Sequence, residues 1–150
     1  MPFPLIPIII AAGGALAAAG AAVTAHSLAS SPDRSVRRAG RDASDRGDYA
    51  FAISCYTTLI ERGYKLADMY NNRGWAYVKQ GKYDLALADC AQSLRLAPNN
   101  ANTLHTRGSA YMGKGQLDRA IADFEEAVRI DPWDAEIKAD LEKARRRRGR

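Results

Sequence analysis

Arginine is the residue type through which this chain could most readily bind a ligand, because a guanidinium group pairs with carboxylates and phosphates. The arginines concentrate in two clusters: Arg34, Arg37, Arg38 and Arg41, and then the run from Arg145 to Arg148 with Arg150. Acidic peptides, lipid headgroups and nucleic acid phosphates are therefore candidate ligands. No aromatic residue is interleaved with the second cluster, so base stacking, and with it a nucleic acid partner, is not expected. The alternative for that cluster is a solvated chain end.

Residues that usually perform catalysis are scarce. The two histidines, His26 and His105, have no catalytic or metal-binding partners nearby in the sequence, and no HExxH, GxSxG or phosphate-binding glycine loop occurs. Cys55 and Cys90 are too few for a disulfide framework and form no CxxC motif. We therefore predict a protein that is not an enzyme, with no catalytic residues, no metal site and no cofactor.

The first 32 residues form a separate compositional zone, because every Lys, Arg, Asp and Glu lies at or after Asp33. Residues 5–25 are 21 uncharged residues, about the length of a helix that spans a bilayer. We interpret them as a single-pass membrane anchor, and the arginines that follow favour the cytoplasmic side for the rest of the chain. One alternative is a secretory signal cleaved after Ala25, which would export the domain. The other is a buried core helix.

A repeat of 34 residues organises the remainder of the chain. Residues 67–100 and 101–134 are identical at 12 of 34 positions without a gap. The identical pairs include Gly74 with Gly108, Tyr77 with Tyr111, Ala86 with Ala120, and Pro98 with Pro132. Apolar and small residues recur at helical spacing in each unit, a glycine separates two helices, and a proline ends the second. Because one helix pair cannot bury its apolar face alone, the units must stack.

These positions resemble the tetratricopeptide repeat (TPR) family. Residues 33–66 fit the same register less well and predict a divergent first repeat, so that three repeats cover residues 33–134. Residues 135–150 are predicted to form a capping helix with a basic tail. The helical pattern of this segment already begins at Trp133, just after Pro132. The resemblance implies an all-α fold, a helical-hairpin superhelix (α-solenoid) of about seven helices, preceded by the apolar N-terminal helix.

Two further expectations concern the helices of these repeats. The aspartates near the start of each second helix are expected to favour the helix dipole and to solvate the outer face. Those aspartates are Asp84, Asp89, Asp118 and Asp123. Cys90 aligns with Phe124 on a buried stripe, which predicts a small core residue rather than a reactive thiol.

The resemblance also implies a binding groove, because one face of each first helix lines the concave surface in the TPR family. The groove positions here are Arg34, Arg37, Arg41, Asn71, Asn72, Trp75, Asn102, His105, Thr106 and Ser109. They predict a groove with a basic mouth, an amide-rich middle and one tryptophan. The alternative is that the arginines only flank the membrane and that Trp75 packs between repeats.

The groove of heat-shock co-chaperones in this family clamps a peptide's C-terminal carboxylate with basic and Asn residues. Arg37 and Asn72 match that clamp, Arg41 replaces an Asn, and Asn102 and Thr106 replace a Lys and an Arg. The clamp is incomplete, which does not favour a chaperone tail. We predict an adaptor that binds a protein or peptide, acidic or C-terminal. A lipid- or nucleic-acid-binding arginine tail and a self-assembling scaffold are the alternatives.

Overall fold

The computed structural model describes residues 33–150, which form seven helices and no strand. The helices are α1 (Asp33–Asp45), α2 (Tyr49–Glu61), α3 (Ala67–Lys79), α4 (Tyr83–Leu96), α5 (Ala101–Gly113), α6 (Leu117–Ile130) and α7 (Ala135–Arg148). Each of the first six packs against its neighbours in sequence, so that three helical hairpins stack in order and α7 covers the last of them. The all-α helical-repeat fold expected from the sequence is confirmed.

The turn inside each hairpin has the same construction in all three units. Gly47, Gly81 and Gly115 lie 34 residues apart and have φ values of 80°, 72° and 75°, a conformation that other residues rarely adopt. The next residue in each unit donates its backbone N–H back into the last turn of the preceding helix; for Lys82 the acceptor is Tyr77 O, at 2.9 Å. This is the glycine-dependent helix ending that a tight hairpin requires.

The four identical pairs of residues named for the repeat, which we call the repeat signature, lie where helices meet or end. Four are buried (Gly74, Ala86, Gly108 and Ala120), two are half-buried (Tyr77 and Tyr111), and two are exposed beyond helix ends (Pro98 and Pro132). The largest fully buried side chains are Tyr56 and Phe124. The first and last units therefore each contribute an aromatic ring to a core that runs along the stack.

Both cysteines are free and buried. Burial raises the pKa of the Cys90 thiol to about 12, and burial also raises that of the Cys55 thiol. A thiol with a raised pKa carries little thiolate near neutral pH, so neither residue is poised to react. Cys90 is the small core residue that the sequence predicts.

The acidic residues correct one sequence expectation. Asp84 and Asp118 are exposed at the starts of α4 and α6, as predicted, but Asp89 and Asp123 are buried. Each of the buried pair accepts two hydrogen bonds from an arginine 16 residues earlier. Arg73 bonds Asp89 at 2.8 and 2.7 Å, and Arg107 bonds Asp123 at the same distances. These two carboxylates therefore join the two helices of a hairpin and do not solvate the outer face.

The last helix begins later than the sequence predicts. Asp134 caps it, because its Oδ1 accepts the N–H groups of Glu136 at 2.8 Å and Ile137 at 3.1 Å. Trp133 consequently lies in the preceding turn and is 88% exposed. The buried residues of α7 are Ile137, Leu141 and Ala144.

The predicted N-terminal apolar helix lies outside the described residues. Within residues 33–150, no helix combines the length and the apolar composition needed to cross a bilayer.

Candidate functional site

The first helices of the three hairpins and α7 present one continuous surface, which we call the groove. Cavities along it are lined by residues of α1, α3, α5 and α7, with single contributions from α2 and α4. All ten groove positions expected from the sequence lie in this set of helices, and every one of them lines at least one of these cavities. The structure thus brings the predicted residues together.

The basic mouth of the groove is a cavity of about 730 Å³ on α1, which we call the arginine pocket. Its lining residues are Arg34, Ser35, Arg37, Arg38 and Arg41. Arg37 forms an ion pair with Asp68 of α3, which joins the mouth to the second repeat. Arg38 and Arg41 are exposed, and Arg38 Nε lies 3.8 Å from Asp42. The pocket therefore brings together four guanidinium groups, and those of Arg37 and Arg38 lie next to the carboxylates of Asp68 and Asp42.

The middle of the groove is amide-rich, as predicted. Asn71, Asn72 and Asn102 line a cavity of about 270 Å³ together with Trp75, His105, Thr106 and Glu136. The Thr106 hydroxyl lies 2.9 Å from Asn71 Oδ1 and 2.9 Å from the Asn102 carbonyl oxygen. Thr106 is buried and already bonded within the groove, whereas the side chains of Asn72 and Asn102 remain accessible.

His105 has a structural role in the groove floor. It is 8% exposed, and its Nε2 donates to Asp140 Oδ2 at 2.8 Å. Its ring lies between those of Trp75 and Phe124, with centroids 5.8 and 5.6 Å away. His105 therefore attaches α7 to α5 and supports Trp75 from below.

Trp75 both lines the groove and packs between repeats, the two alternatives that the sequence left open. The ring is half-buried against His105, so it does pack between repeats. It also lines three separate cavities of the groove. Trp75 is thus partly open to the groove, although Lys79 Nζ also lies over its ring, 4.2 Å from the centroid.

Sequence reasoning missed the part of the groove that α7 supplies. Glu136, Asp140, Lys143 and Arg147 line its cavities, although the sequence predicted α7 only as a capping helix with a basic tail. The signal for the first three was present in the repeat. Extending the 34-residue register once more places Glu136, Asp140 and Lys143 in line with Asn102, Thr106 and Ser109. The cap is therefore also the fourth wall of the groove.

The C-terminal arginine run lies largely on the surface of the domain. Arg145 bonds Glu125 and Glu142, each at 2.9 Å. Arg147 Nη1 donates to the Met112 carbonyl oxygen at 3.4 Å, and Arg148 Nη1 donates to Asp118 at 3.3 Å. The helix continues to Arg148. The run is thus an exposed helical segment, partly neutralised by the domain's own carboxylates, which agrees with the alternative of a solvated chain end.

Stacked helical hairpins whose first helices line one groove define a helical-repeat protein of the α-solenoid class. Residues 67–100 and 101–132 each match the family described as Tetratricopeptide repeat. Residues 67–132 are therefore tetratricopeptide repeats, as the positions identical in the two units indicate.

Two curated relatives each match less than half of this chain. Sperm-associated antigen 1 of Rattus norvegicus is 37% identical over 65 residues, which are 43% of this chain and 7% of the antigen. The DnaJ homolog subfamily C member 7 homolog of Schizosaccharomyces pombe is 42% identical over 57 residues, which are 37% of this chain and 12% of that protein. The matches thus span a small fraction of each relative's length.

Solved TPR domains match over most of the chain. The second TPR domain of human RPAP3, determined in complex with the HSP70 peptide SGPTIEEVD, superposes with a TM-score of 0.65 at 29% identity. The match covers 75% of this chain and 98% of that one. The P58(IPK) TPR domain superposes with a TM-score of 0.72 at 25% identity, covering 81% of this chain and 35% of that one.

Proposed function

We propose that this protein is an adaptor that binds an extended acidic segment of a partner protein in the groove. The observation that carries the proposal is the arginine pocket and its link to the amide-rich middle of the groove. A cavity of about 430 Å³ shares Arg41 with the pocket and shares Asn72 and Trp75 with the middle. Asp42 and Asp45 also line this linking cavity. Arginine pairs with carboxylates, asparagine amides can bond the backbone of an extended peptide, and an accessible tryptophan can anchor an apolar side chain. The RPAP3 domain of similar fold, solved with an acidic peptide, supports this reading.

The ligand we propose is recognised by its acidic side chains more than by its C-terminal carboxylate. The third repeat would supply one arm of a carboxylate clamp, but it has Asn102 and Thr106 there. The Thr106 hydroxyl is occupied by Asn71 and the Asn102 carbonyl group. The positive charge lies instead on α1, where Arg38 and Arg41 are exposed. An internal acidic segment therefore suits this groove as well as a chain end.

We expect the full chain to bind fluorescein-labelled SGPTIEEVD in an anisotropy titration at low salt. Replacing the three acidic residues, to give SGPTIQQVN, should weaken binding about tenfold, because each exposed ion pair contributes about 0.2–1 kcal/mol. Amidating the C-terminus should change the affinity less than that. The variant Arg38→Glu with Arg41→Glu should bind SGPTIEEVD at least about tenfold more weakly.

The matched control is Arg46→Glu with Arg95→Glu, which changes the charge equally at two exposed arginines that line none of the groove's cavities. This control should retain most of the affinity. Equal binding of SGPTIEEVD and SGPTIQQVN would contradict the proposal, as would equal losses in the groove variant and the control.

We propose, as a separate matter, that residues 5–25 tether the adaptor to a membrane with the TPR domain on the cytoplasmic side. The support is their uncharged length and the arginines that follow them. After carbonate extraction of membranes, the chain should stay in the pellet with residues 5–25 present in its peptide map. A mature chain that begins at His26 would instead favour a cleaved signal and an exported domain.

A further inference from the structure

The three hairpin turns and the end of α7 lie along one edge of the stack, which we call the turn edge. It consists of residues 45–51, 79–85, 113–119 and 146–150. An ion pair between Lys114 and Asp84 joins the third turn to the second. Arg148 Nη1 donates to Asp118 Oδ1 at 3.3 Å, which joins the end of α7 to the third turn. The turn edge therefore lies at the opposite end of the helices from the start of α1.

The turn edge carries the whole charge surplus of the chain. Its four segments contain nine Lys and Arg residues and four Asp residues. That surplus of five equals the formal net charge of +5 for all 150 residues, so the charges elsewhere cancel. All nine cationic residues are exposed. A surface with a surplus of one sign attracts ligands of the opposite sign, which here are polyanions.

The carboxylates of the turn edge neutralise only part of this charge. Asp84 and Asp118 are each engaged in an ion pair within the edge. Among residues 33–150, Lys82, Arg146 and Arg150 form no ion pair. Their ammonium and guanidinium groups therefore remain available to the phosphate or carboxylate groups of a ligand.

Two apolar side chains are exposed beside this charge. Phe51 and Leu85 are the third residues of α2 and α4, and they are 40% and 50% exposed. They occupy the same position in successive repeats, and the third repeat has Arg119 there. Basic groups combined with exposed Phe and Leu side chains are typical of surfaces that lie in the headgroup region of a bilayer.

We propose that the turn edge is a peripheral binding surface for a bilayer that contains anionic phospholipids. Its cations pair with the lipid headgroups, while Phe51 and Leu85 enter the boundary between headgroups and acyl chains. A nucleic acid also offers phosphates to the cations, but it offers no apolar layer to Leu85. The proposal goes beyond the peptide-binding groove and does not depend on it.

The length of the chain before α1 permits this contact together with the proposed tether. With the turn edge on a bilayer, the start of α1 stands one helix length above it, about 20 Å for 13 residues. Residues 26–32 separate α1 from the uncharged segment at residues 5–25, and seven residues reach at most about 25 Å. Both contacts can therefore be made with one membrane.

The test places a fluorophore on each edge of the full chain. Gly149→Cys marks the turn edge and Asn99→Cys the opposite edge, both at exposed, uncharged positions. Cys55 and Cys90 are buried, so a thiol-reactive label attaches to the added cysteine. Each labelled chain is reconstituted with vesicles of phosphatidylcholine and about 30% phosphatidylserine that contain doxyl-labelled lipid, which quenches nearby fluorophores.

We expect quenching at Gly149→Cys to be at least about threefold stronger than at Asn99→Cys in these vesicles. The difference should disappear in vesicles without phosphatidylserine, and it should shrink at high salt because salt screens exposed charges. A tether alone predicts the reverse, since Asn99 lies on the edge where α1 begins.

Charge reversal tests the cations. In the Gly149→Cys chain, Lys82→Glu with Arg146→Glu should lower quenching to the level seen without phosphatidylserine. The matched control is Lys65→Glu with Lys138→Glu, which changes the charge equally at two exposed lysines outside the turn edge and should preserve quenching.

One helix provides a matched pair for the apolar contribution. Leu85→Ser should lower quenching by about half or more, because it removes an apolar side chain from the bilayer contact. Leu96 lies at the other end of α4 and is 48% exposed, almost as much as Leu85. Leu96→Ser should therefore leave quenching unchanged.

Equal losses in the charge-reversed variant and its control would overturn the proposal, as would stronger quenching at Asn99→Cys. So would binding of a short RNA duplex that Lys82→Glu with Arg146→Glu abolishes, if the vesicles give no difference in quenching. The groove fails or stands separately. Lys82→Glu with Arg146→Glu should bind SGPTIEEVD as the unaltered chain does, which also shows that it folds. Arg38→Glu with Arg41→Glu should lose that peptide and keep the quenching.

Discussion

Replacing Gly108 with leucine should destabilise the domain by about 3 kcal/mol or more. A Cβ atom at Gly108 would lie 2.6 Å from Phe124 Cε1 and 2.8 Å from Phe124 Cδ1, well inside normal contact. Phe124 is fully buried and His105 packs on its ring, so it has little room to move. Urea unfolding of the variant, followed by circular dichroism, should show a much lower midpoint.

The matched control for Gly108 is provided by the repeat itself. Gly74 occupies the same position one unit earlier, but its nearest neighbours would be Asp89 Cβ at 3.4 Å and the Ala86 carbonyl oxygen at 3.5 Å. Gly74→Ala should therefore leave stability unchanged or raise it by up to about 1 kcal/mol, since alanine is the better helix former. Gly108→Ala should lower it by about 1–2 kcal/mol. Equal effects at the two glycines would contradict this account of the two crossings.

Truncation of Arg73 should be the most damaging single change outside the aromatic core. Arg73→Met would leave the Asp89 carboxylate, whose side chain is 6% exposed, without its two hydrogen bonds. Removing one partner of a buried ion pair typically costs about 3–5 kcal/mol. The variant also loses the bond from Arg73 Nη1 to Thr57 Oγ1, at 3.0 Å, which joins the second repeat to the first. Urea unfolding at neutral pH measures the loss.

Two further variants separate the charge from the packing. Arg73→Met with Asp89→Leu replaces both partners by apolar groups and should recover most of the lost stability. Arg107→Met should cost less than Arg73→Met, because the Arg107 side chain is 31% exposed against 16% for Arg73. A double variant no more stable than Arg73→Met would show that the loss comes from packing around Arg73.

The 34-residue period predicted the helices and their crossings because the same local requirements recur in each unit. A glycine with positive φ ends each first helix, and small residues mark the crossings. What the period does not contain is the partner of each residue. Arg73 and Asp89 both recur one unit later, but only the folded hairpin shows that the two are paired. Their burial follows from that pairing, and an isolated aspartate near a helix start gives no sign of it.

The groove was predicted as a set of positions and not as a set of contacts. The register, together with the resemblance to the TPR family, placed Asn71, Asn72 and Asn102 in the groove, and they do share a cavity. The roles of His105 and Thr106 depend on neighbours from other helices, and both are largely occupied by bonds within the domain. The contribution of α7 was missed because a polar helix at the end of a stack has the composition of a cap whether or not it also lines a groove.

The two faces of α7 differ in composition. Its buried residues, Ile137, Leu141 and Ala144, lie on the face that packs against α6. The exposed residues of α7 include the charged side chains of Lys138, Glu142 and Arg146. A second copy adding end to end at this terminus would have to dehydrate those charges, although the exposed Trp133 lies in the turn just before α7. The charges on the outer face of α7 therefore oppose the addition of a further copy at the C-terminal end of the described domain.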